Sequence, residues 1–265
     1  MKENKMSRRS FLKAGAFASA AGMLAAAPAA AHAAAPNVDK AAEEENGLLG
    51  IFGGKPKYVF LFIGDGMGTA QIQSARFYKG TVENNGAVTE GELSFTQFPE
   101  VGSVTTYDST SFCPDSASTA TSISTGYKTY SGSINVDETG TISYETIAEQ
   151  LHAQKGYSVG VITSVNLNHA TPAAFYAHQA SRNDYYDIGL ELIDSGFEYF
   201  AGGGLLKPTG AEGDQADLYA LAEKAGYHVV KTQAEAEQVT GGPVVIIDEH
   251  LADSDAMAYE IDRTD

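Results

Sequence analysis

The sequence predicts a doubly wound α/β fold, a mostly parallel sheet with helices on both faces. Three observations carry that expectation. Short apolar runs rich in β-forming residues recur along the chain. Stretches with helical spacing or helix-start signals lie between them. Glycine stops most of those stretches before the next run. An apolar run of strand length is too short for most helices and reads as a strand buried on both faces. Alternating strands and helices build a parallel sheet.

The elements follow in order. Tyr58–Ile63 is the first predicted strand, broken by Gly64, Gly66 and Gly68 and followed by a helix over Thr69–Tyr78. Ser116 opens a helix in a stretch of small residues. Ser143–Gln154 is helical, with Ile147 and Leu151 on one face, and Gly156 stops it before a strand over Tyr157–Thr163. Pro172 suits the first position of a helix, where its missing N–H costs nothing. Asn183–Asp194 is a helix ended by Gly196, leading to a strand over Phe197–Phe200 and the turn Gly202-Gly203-Gly204. Asp217–Ala225 is a helix ended by Gly226, then comes the strand Tyr227–Val230. Thr232 and Glu235 form a capping box, each side chain serving the other's backbone N–H. Pro243–Ile247 is the last strand.

Residues 1–33 read as a twin-arginine export signal. Arg8-Arg9 precedes an alanine-rich apolar stretch, and Ala31-His32-Ala33 is a small-x-small cleavage site. The apolar stretch is too short and too weakly hydrophobic to span a membrane. The expected location is therefore periplasmic or extracellular. Residues 34–54 are an acidic, glycine-containing tether, and residues 55–265 form the folded domain, with order beginning near Lys57. The leader carries five Lys/Arg and one Glu, a net +4, so the remaining 232 residues carry −21 against −17 for the whole chain. A surface so negative repels nucleic acid and, once the signal is removed, anionic membrane. An anionic substrate needs local cations that overrule the field. The chain has one cysteine, which allows no internal disulfide.

Sites in open α/β sheets lie beyond the carboxyl ends of strands. Asp65 stands at such an end between two glycines. A carboxylate there is a natural ligand for a hard cation, and it equally suits an Asx turn or helix cap. In Asp115-Ser116-Ala117-Ser118, a helix start aims backbone N–H groups at any oxyanion attached to Ser116. A serine hydroxyl needs a base or metal before it attacks, and the segment also reads as a serine-rich cap. It is not the Gly-x-Ser-x-Gly elbow of esterases. Thr171 follows a strand end, so its hydroxyl suits either a cap or a cation. Arg182 offers the planar fork that grips phosphate through paired hydrogen bonds, although one arginine after a helix also suits a solvated surface.

FIGDGMG, DSASTAT, STGYKTYSG, NHATPAAFYAHQASR and AGGG occur in this order from Phe62 to Gly204. Together they resemble the alkaline phosphatase family, and the likeness runs from about Tyr58 to the end of the chain. The resemblance implies hydrolysis of small phosphate monoesters at a site with two zinc ions and one magnesium ion. It implies Ser116 as the nucleophile that becomes a phosphoserine, and Asp65 as a carboxylate shared by one zinc and the magnesium. Thr171 is implied as a magnesium ligand. Arg182 and the Ala117 N–H are implied to hold the phosphoryl oxygens, with Asp115 steadying the arginine. One zinc would acidify the Ser116 hydroxyl. The other would stabilise the leaving oxygen and later supply hydroxide. His169 stands where some members have aspartate and others histidine, which makes it a candidate at the magnesium position with an indirect role. His178 is expected to be structural.

The family's remaining ligands, a glutamate and a cluster of aspartates and histidines, lie further toward the C-terminus. No stretch after Thr171 offers that cluster. His250 sits in an acidic stretch and is not assigned to metal. The chain is therefore expected to be an N-terminal portion of such a protein, inactive or nearly so on its own, with apolar sheet surface exposed. Dimers are common in the family, which leaves a homodimer open. The competing expectations are an exported metal- or phosphate-binding protein without turnover, and a phosphodiesterase or sulfatase of the same superfamily.

Overall fold

A computed structural model of the chain describes residues 56–248, 256, 257 and 259. The expected signal and tether, and His250, fall outside the described residues. The chain divides into a unit ending at Phe62 and a larger one from Ile63 onward.

In the first unit, residues 56–62 form no strand or helix. This corrects the expected buried strand over Tyr58–Ile63. Phe60 and Phe62 are 78 % and 86 % exposed. A strand buried on both faces needs hydrogen-bonded neighbours on both sides. Exposure of this order is incompatible with such burial.

The second unit carries that sheet. Its strands are β1 (Gly160–Ile162), β2 (Tyr199–Gly202), β3 (His228–Val230) and β4 (Val244–Ile247), all parallel, in the order β1-β2-β4-β3. The helices are α1 (Thr69–Glu83), α2 (Ser116–Thr125), α3 (Ile147–Lys155), α4 (Ala170–Ala173), α5 (Tyr185–Asp194), α6 (Leu218–Lys224) and α7 (Gln233–Ala236). Central strands bury both faces, so β4 is apolar throughout, with Val245 and Ile247 almost fully buried. β1 lies at one edge of this sheet, where only Val161 of its three residues is buried. Among the described residues no helix is long and apolar enough to cross a membrane.

Most helix positions match the sequence expectation, and the starts shift for identifiable reasons. α3 begins at Ile147 rather than Ser143. Thr146 and Glu149 form a capping box, with Thr146 Oγ1 accepting the Glu149 N–H at 3.1 Å and Glu149 Oε2 accepting the Thr146 N–H at 2.7 Å. Upstream, the Tyr144 N–H is already committed to the Asn135 carbonyl at 2.8 Å. α4 begins at Ala170 with His169 as its cap residue, so Thr171 lies inside the helix rather than before it.

The core packs aromatic rings on β2. Tyr176 meets Phe200 edge-on at 5.5 Å between centroids, and Phe197 and Tyr227 flank the same ring. Their polar tips are satisfied, since Tyr176 Oη donates to the Leu167 carbonyl at 2.6 Å and Tyr227 Oη to that of Phe197 at 3.0 Å. α5 buries Ile188 and Leu192, one turn apart, and meets α6 at Gly189. A β-carbon at Gly189 would lie 2.4 Å from Leu218 Cδ1, so any larger residue would force Leu218 to move.

His178 ties α3, α5 and the strap from Ala174 to Arg182 together. Its Nδ1 lies 3.2 Å from Glu191 Oε2, and its Nε2 lies 3.4 Å from Glu149 Oε2 and 3.1 Å from the Tyr144 carbonyl. Burial opposes charge on the ring, but the two carboxylates outweigh it and push its pKa up to about 10 from 6.5. A raised folded-state pKa means the stabilisation is complete below pH 6.5 and is lost as pH rises through about 10. Thermal denaturation of the unsubstituted chain is thus expected to fall more steeply across that window than that of His178→Asn. Parallel curves would contradict the charged clamp.

Candidate active site

α2 is positioned by Asp115. Its backbone is extended, and its carboxylate Oδ1 accepts the Ser118 N–H at 3.1 Å, satisfying a donor that the first turn leaves without an intrahelical acceptor. Gly126 ends the helix in the left-handed conformation, at φ 78°. Ser116 is therefore the first helical residue, and its side chain points away from the helix body. Its neighbours Ala117 and Ala120 are buried, where α2 packs against α4 and its alanines. Small residues beside Ser116 thus serve close helix packing as well as open space.

Asp65 lies in the turn before α1. Its two oxygens face two hydroxyls: Ser116 Oγ donates to Oδ1 at 3.2 Å and Thr171 Oγ1 donates to Oδ2 at 3.1 Å. These partners lie 51 and 106 residues away in sequence. The turn before α1, the start of α2 and the short α4 therefore converge on one carboxylate.

Arg182 approaches from the strap after Tyr176. That strap is tied to the segment after α2: the Ile134 and Gln179 backbones exchange hydrogen bonds at 2.8 and 3.0 Å, and the Arg182 N–H donates to the Gly132 carbonyl at 2.7 Å. The Arg182 guanidinium donates through Nη1 to Asp115 Oδ2 at 2.8 Å, with about a quarter of each side chain exposed. Burial pushes the Asp115 carboxyl up, but the Gly132 and Ser118 N–H groups and Arg182 outweigh it and hold it below the usual range. His169 Nε2 faces Arg182 Nη2 at 3.3 Å.

Asp65, Asp115, Ser116, Thr171 and Arg182 all line one open cleft of about 540 Å³. Ala117 and His169 do not line it. The cleft thus brings an arginine, two carboxylates and the Ser116 and Thr171 hydroxyls to a common space. The Ser116 and Thr171 hydroxyls stand 3.2 and 3.1 Å from the two Asp65 oxygens, about the 3 Å spacing of neighbouring ligands around a magnesium-sized ion. They suit a hard cation. Among the described residues no group of three or more His, Cys, Asp or Glu could hold a metal, so the nitrogen-rich set that zinc prefers is not assembled there.

Three supporting residues were not singled out in the sequence. Asn135, at φ 50°, is fully buried and staples α2 to the strap. Its Nδ2 donates to the Ala174 and Ala177 carbonyls, both at 2.8 Å, and its Oδ1 accepts from Ser124 Oγ at 3.0 Å. No local pattern marks such a position. Asp108 and Ser118 form a buried pair beneath Asp115, with Ser118 Oγ 2.8 Å from Asp108 Oδ2. An Asp-Ser-Thr-Ser run is a turn signal, but nothing in it points to Ser118.

A family model described as alkaline phosphatase matches residues 56–265. The chain is 37 % identical over 148 residues to alkaline phosphatase 4 of Drosophila melanogaster, covering 54 % of this chain and 25 % of that protein. It is 36 % identical over 140 residues to alkaline phosphatase 4 of Bacillus subtilis, covering 51 % and 29 %. Among solved structures it is similar to a cold-active alkaline phosphatase from Shewanella sp., with a TM-score of 0.62, 29 % identity, and 77 % of this chain and 48 % of that one covered. The alkaline phosphatase of the Antarctic bacterium TAB5 gives a TM-score of 0.62 at 31 % identity, covering 73 % and 52 %. A variant of the TAB5 enzyme carries Mg bound in its M3 site. The matches span between a quarter and a third of these curated relatives and about half of the solved chains.

Removing the Asp115 carboxylate should release both α2 and Arg182. Asp115→Ala is expected to lower stability by at least about 1 kcal/mol, the ordinary worth of an N-cap. Urea denaturation measures it, and an unchanged midpoint would show that the cap is idle.

Proposed function

The chain belongs to the alkaline phosphatase family, and from that premise we propose that its cleft is the nucleophile and phosphate-clamp half of a phosphate monoester hydrolase site. The observation that carries the reading is the meeting of Asp65, Ser116 and Thr171 in the cleft that Arg182 also lines. Small phosphate monoesters are the proposed substrates. Diesters or sulfate esters as better substrates, or phosphate binding with no phosphoserine formed at Ser116, would each replace this reading.

In the proposed reaction Ser116 Oγ attacks phosphorus in line with the ester oxygen, its own proton passing to solvent. The Oγ–P bond forms as the P–O ester bond breaks, and the alcohol leaves with a proton from solvent. Water then cleaves the phosphoserine, restoring the hydroxyl and releasing inorganic phosphate. Asp65 Oδ1, 3.2 Å from Ser116 Oγ, orients that hydroxyl. Arg182 neutralises the nonbridging oxygens with its remaining N–H groups while Asp115 keeps its plane fixed. The Ala117 N–H, at the second position of α2, is a further donor. Bound zinc and magnesium would supply charge neutralisation and acidify oxygen nucleophiles. Asp65 and Thr171 are the proposed magnesium holders, and Asp65 and Ser116 the oxygens offered to zinc. His169, whose Nε2 faces Arg182, remains the candidate with an indirect role at magnesium. Export through the twin-arginine pattern belongs to the same reading.

The described residues supply oxygen donors but no zinc-type cluster. Supplied with zinc and magnesium, the 265-residue chain should therefore turn over an aryl phosphate far below the typical enzyme rate of about 10 per second. Any turnover should vanish in Ser116→Ala, and phosphoserine found by mass spectrometry should map to Ser116 alone. Activity that survives Ser116→Ala rules out the nucleophile assignment. Turnover at ordinary enzyme rates rules out the ligand argument.

A further inference from the structure

Asp108 is 4 % exposed and does not line the cleft. Burial pushes its carboxyl up, but hydrogen bonds from Ser131, Ser118 and Thr110 outweigh that and hold it at about 2. None of the ion pairs among the described residues includes it. A buried carboxylate without a cation is costly unless hydroxyls and N–H groups compensate it. Its Oδ1 completes a turn, accepting the Thr110 and Ser111 N–H groups at 2.8 and 2.6 Å. An asparagine would serve that turn without a buried charge. The other oxygen is what requires a carboxylate. Oδ2 accepts from Ser118 Oγ at 2.8 Å and from Ser131 Oγ.

Ser118 Oγ also lies 3.0 Å from Asp115 Oδ1, yet a hydroxyl carries one proton. Ser118 is fully buried, so bulk water does not compete for it. The shorter contact assigns the proton to Asp108. Asp115 Oδ1 is left with backbone N–H donors from Ser118 and Gly132, at 3.1 and 3.0 Å. Ser131 adjoins Gly132, whose carbonyl accepts the Arg182 N–H at 2.7 Å. Asp108 thus grips both structures that hold Arg182.

We propose that Asp108 is a positioning residue for the Arg182 clamp: by claiming the Ser118 proton and anchoring Ser131, it leaves the Asp115 charge to the guanidinium. The inference rests on the phosphoryl-site reading only for its functional consequence. Asparagine at 108 would present an N–H to Ser118, turning the Ser118 proton onto Asp115 and weakening its hold on Arg182.

The test uses the full chain, Asp108→Asn, Arg182→Ala and the double variant. Hydrogen exchange at Arg182 Nε, assigned by its loss in Arg182→Ala, is read by NMR without metal or phosphate. It should quicken by about tenfold in Asp108→Asn. Affinity for inorganic phosphate, with zinc and magnesium present, should weaken by about three- to tenfold in Asp108→Asn and by less than about twofold when Arg182 is already alanine. Unchanged exchange overturns the inference, as does an equal loss of affinity in both backgrounds, which would mark a merely structural role. Phosphate binding that is absent, or indifferent to Arg182→Ala, defeats the phosphoryl-site reading instead, and the exchange rate alone then decides for Asp108. If Asp108→Asn fails to fold, Ser131→Ala at its exposed position takes its place. Arg182 exchange should then quicken by about threefold, and no change overturns the inference.

Discussion

A single carboxylate at position 115 sets the geometry of the cleft. It caps α2, which fixes where the Ser116 side chain begins, and it holds Arg182, which arrives from a strap 67 residues later. Its third partner, the Gly132 N–H, belongs to the segment that also accepts the Arg182 backbone N–H. Helix start, strap and connecting loop are thereby referred to one group. A partly buried acid in such a position must stay ionised. Directed N–H groups and a guanidinium do this more reliably than solvent, because they need no reorganisation when an anion arrives.

Around that point the packing is unusually small in scale. Ala170, Ala173, Ala174 and Ala177 are fully buried, as is Ala117 on the facing helix. Short side chains let backbones approach and leave few rotamers to fluctuate. Asn135 then stitches the α2 region to the strap through backbone carbonyls that the short α4 leaves without helical partners. Rigidity here comes from satisfied polar groups between closely spaced backbones, while the bulky apolar core lies beside β2 around Phe200.

Much of this was legible in the sequence, for physical reasons. The strand at Val244–Ile247 is apolar at every position because it lies between two other strands. The helix stop at Gly156 uses the left-handed backbone that glycine adopts without strain. Asp65, Ser116, Thr171 and Arg182 were each ambiguous alone, and only their ordered occurrence among the motifs singled them out. What the sequence did not disclose was long-range. Nothing near Asp108 points to Ser118, and nothing near Asn135 points to Ala174 and Ala177. The run Tyr58–Ile63 misled in the opposite direction. Its apolar composition suits burial between strands, yet its residues stand exposed and form no strand.

The central proposition is that Ser116 and Arg182 address one tetrahedral anion in the cleft they both line. A crystal structure of the chain soaked with vanadate and zinc addresses it most directly. Vanadium bonded to Ser116 Oγ, with its oxygens in hydrogen-bond contact with the Arg182 guanidinium, is the expected outcome. Vanadate seated elsewhere, or bound near Arg182 with Ser116 turned away, would contradict it.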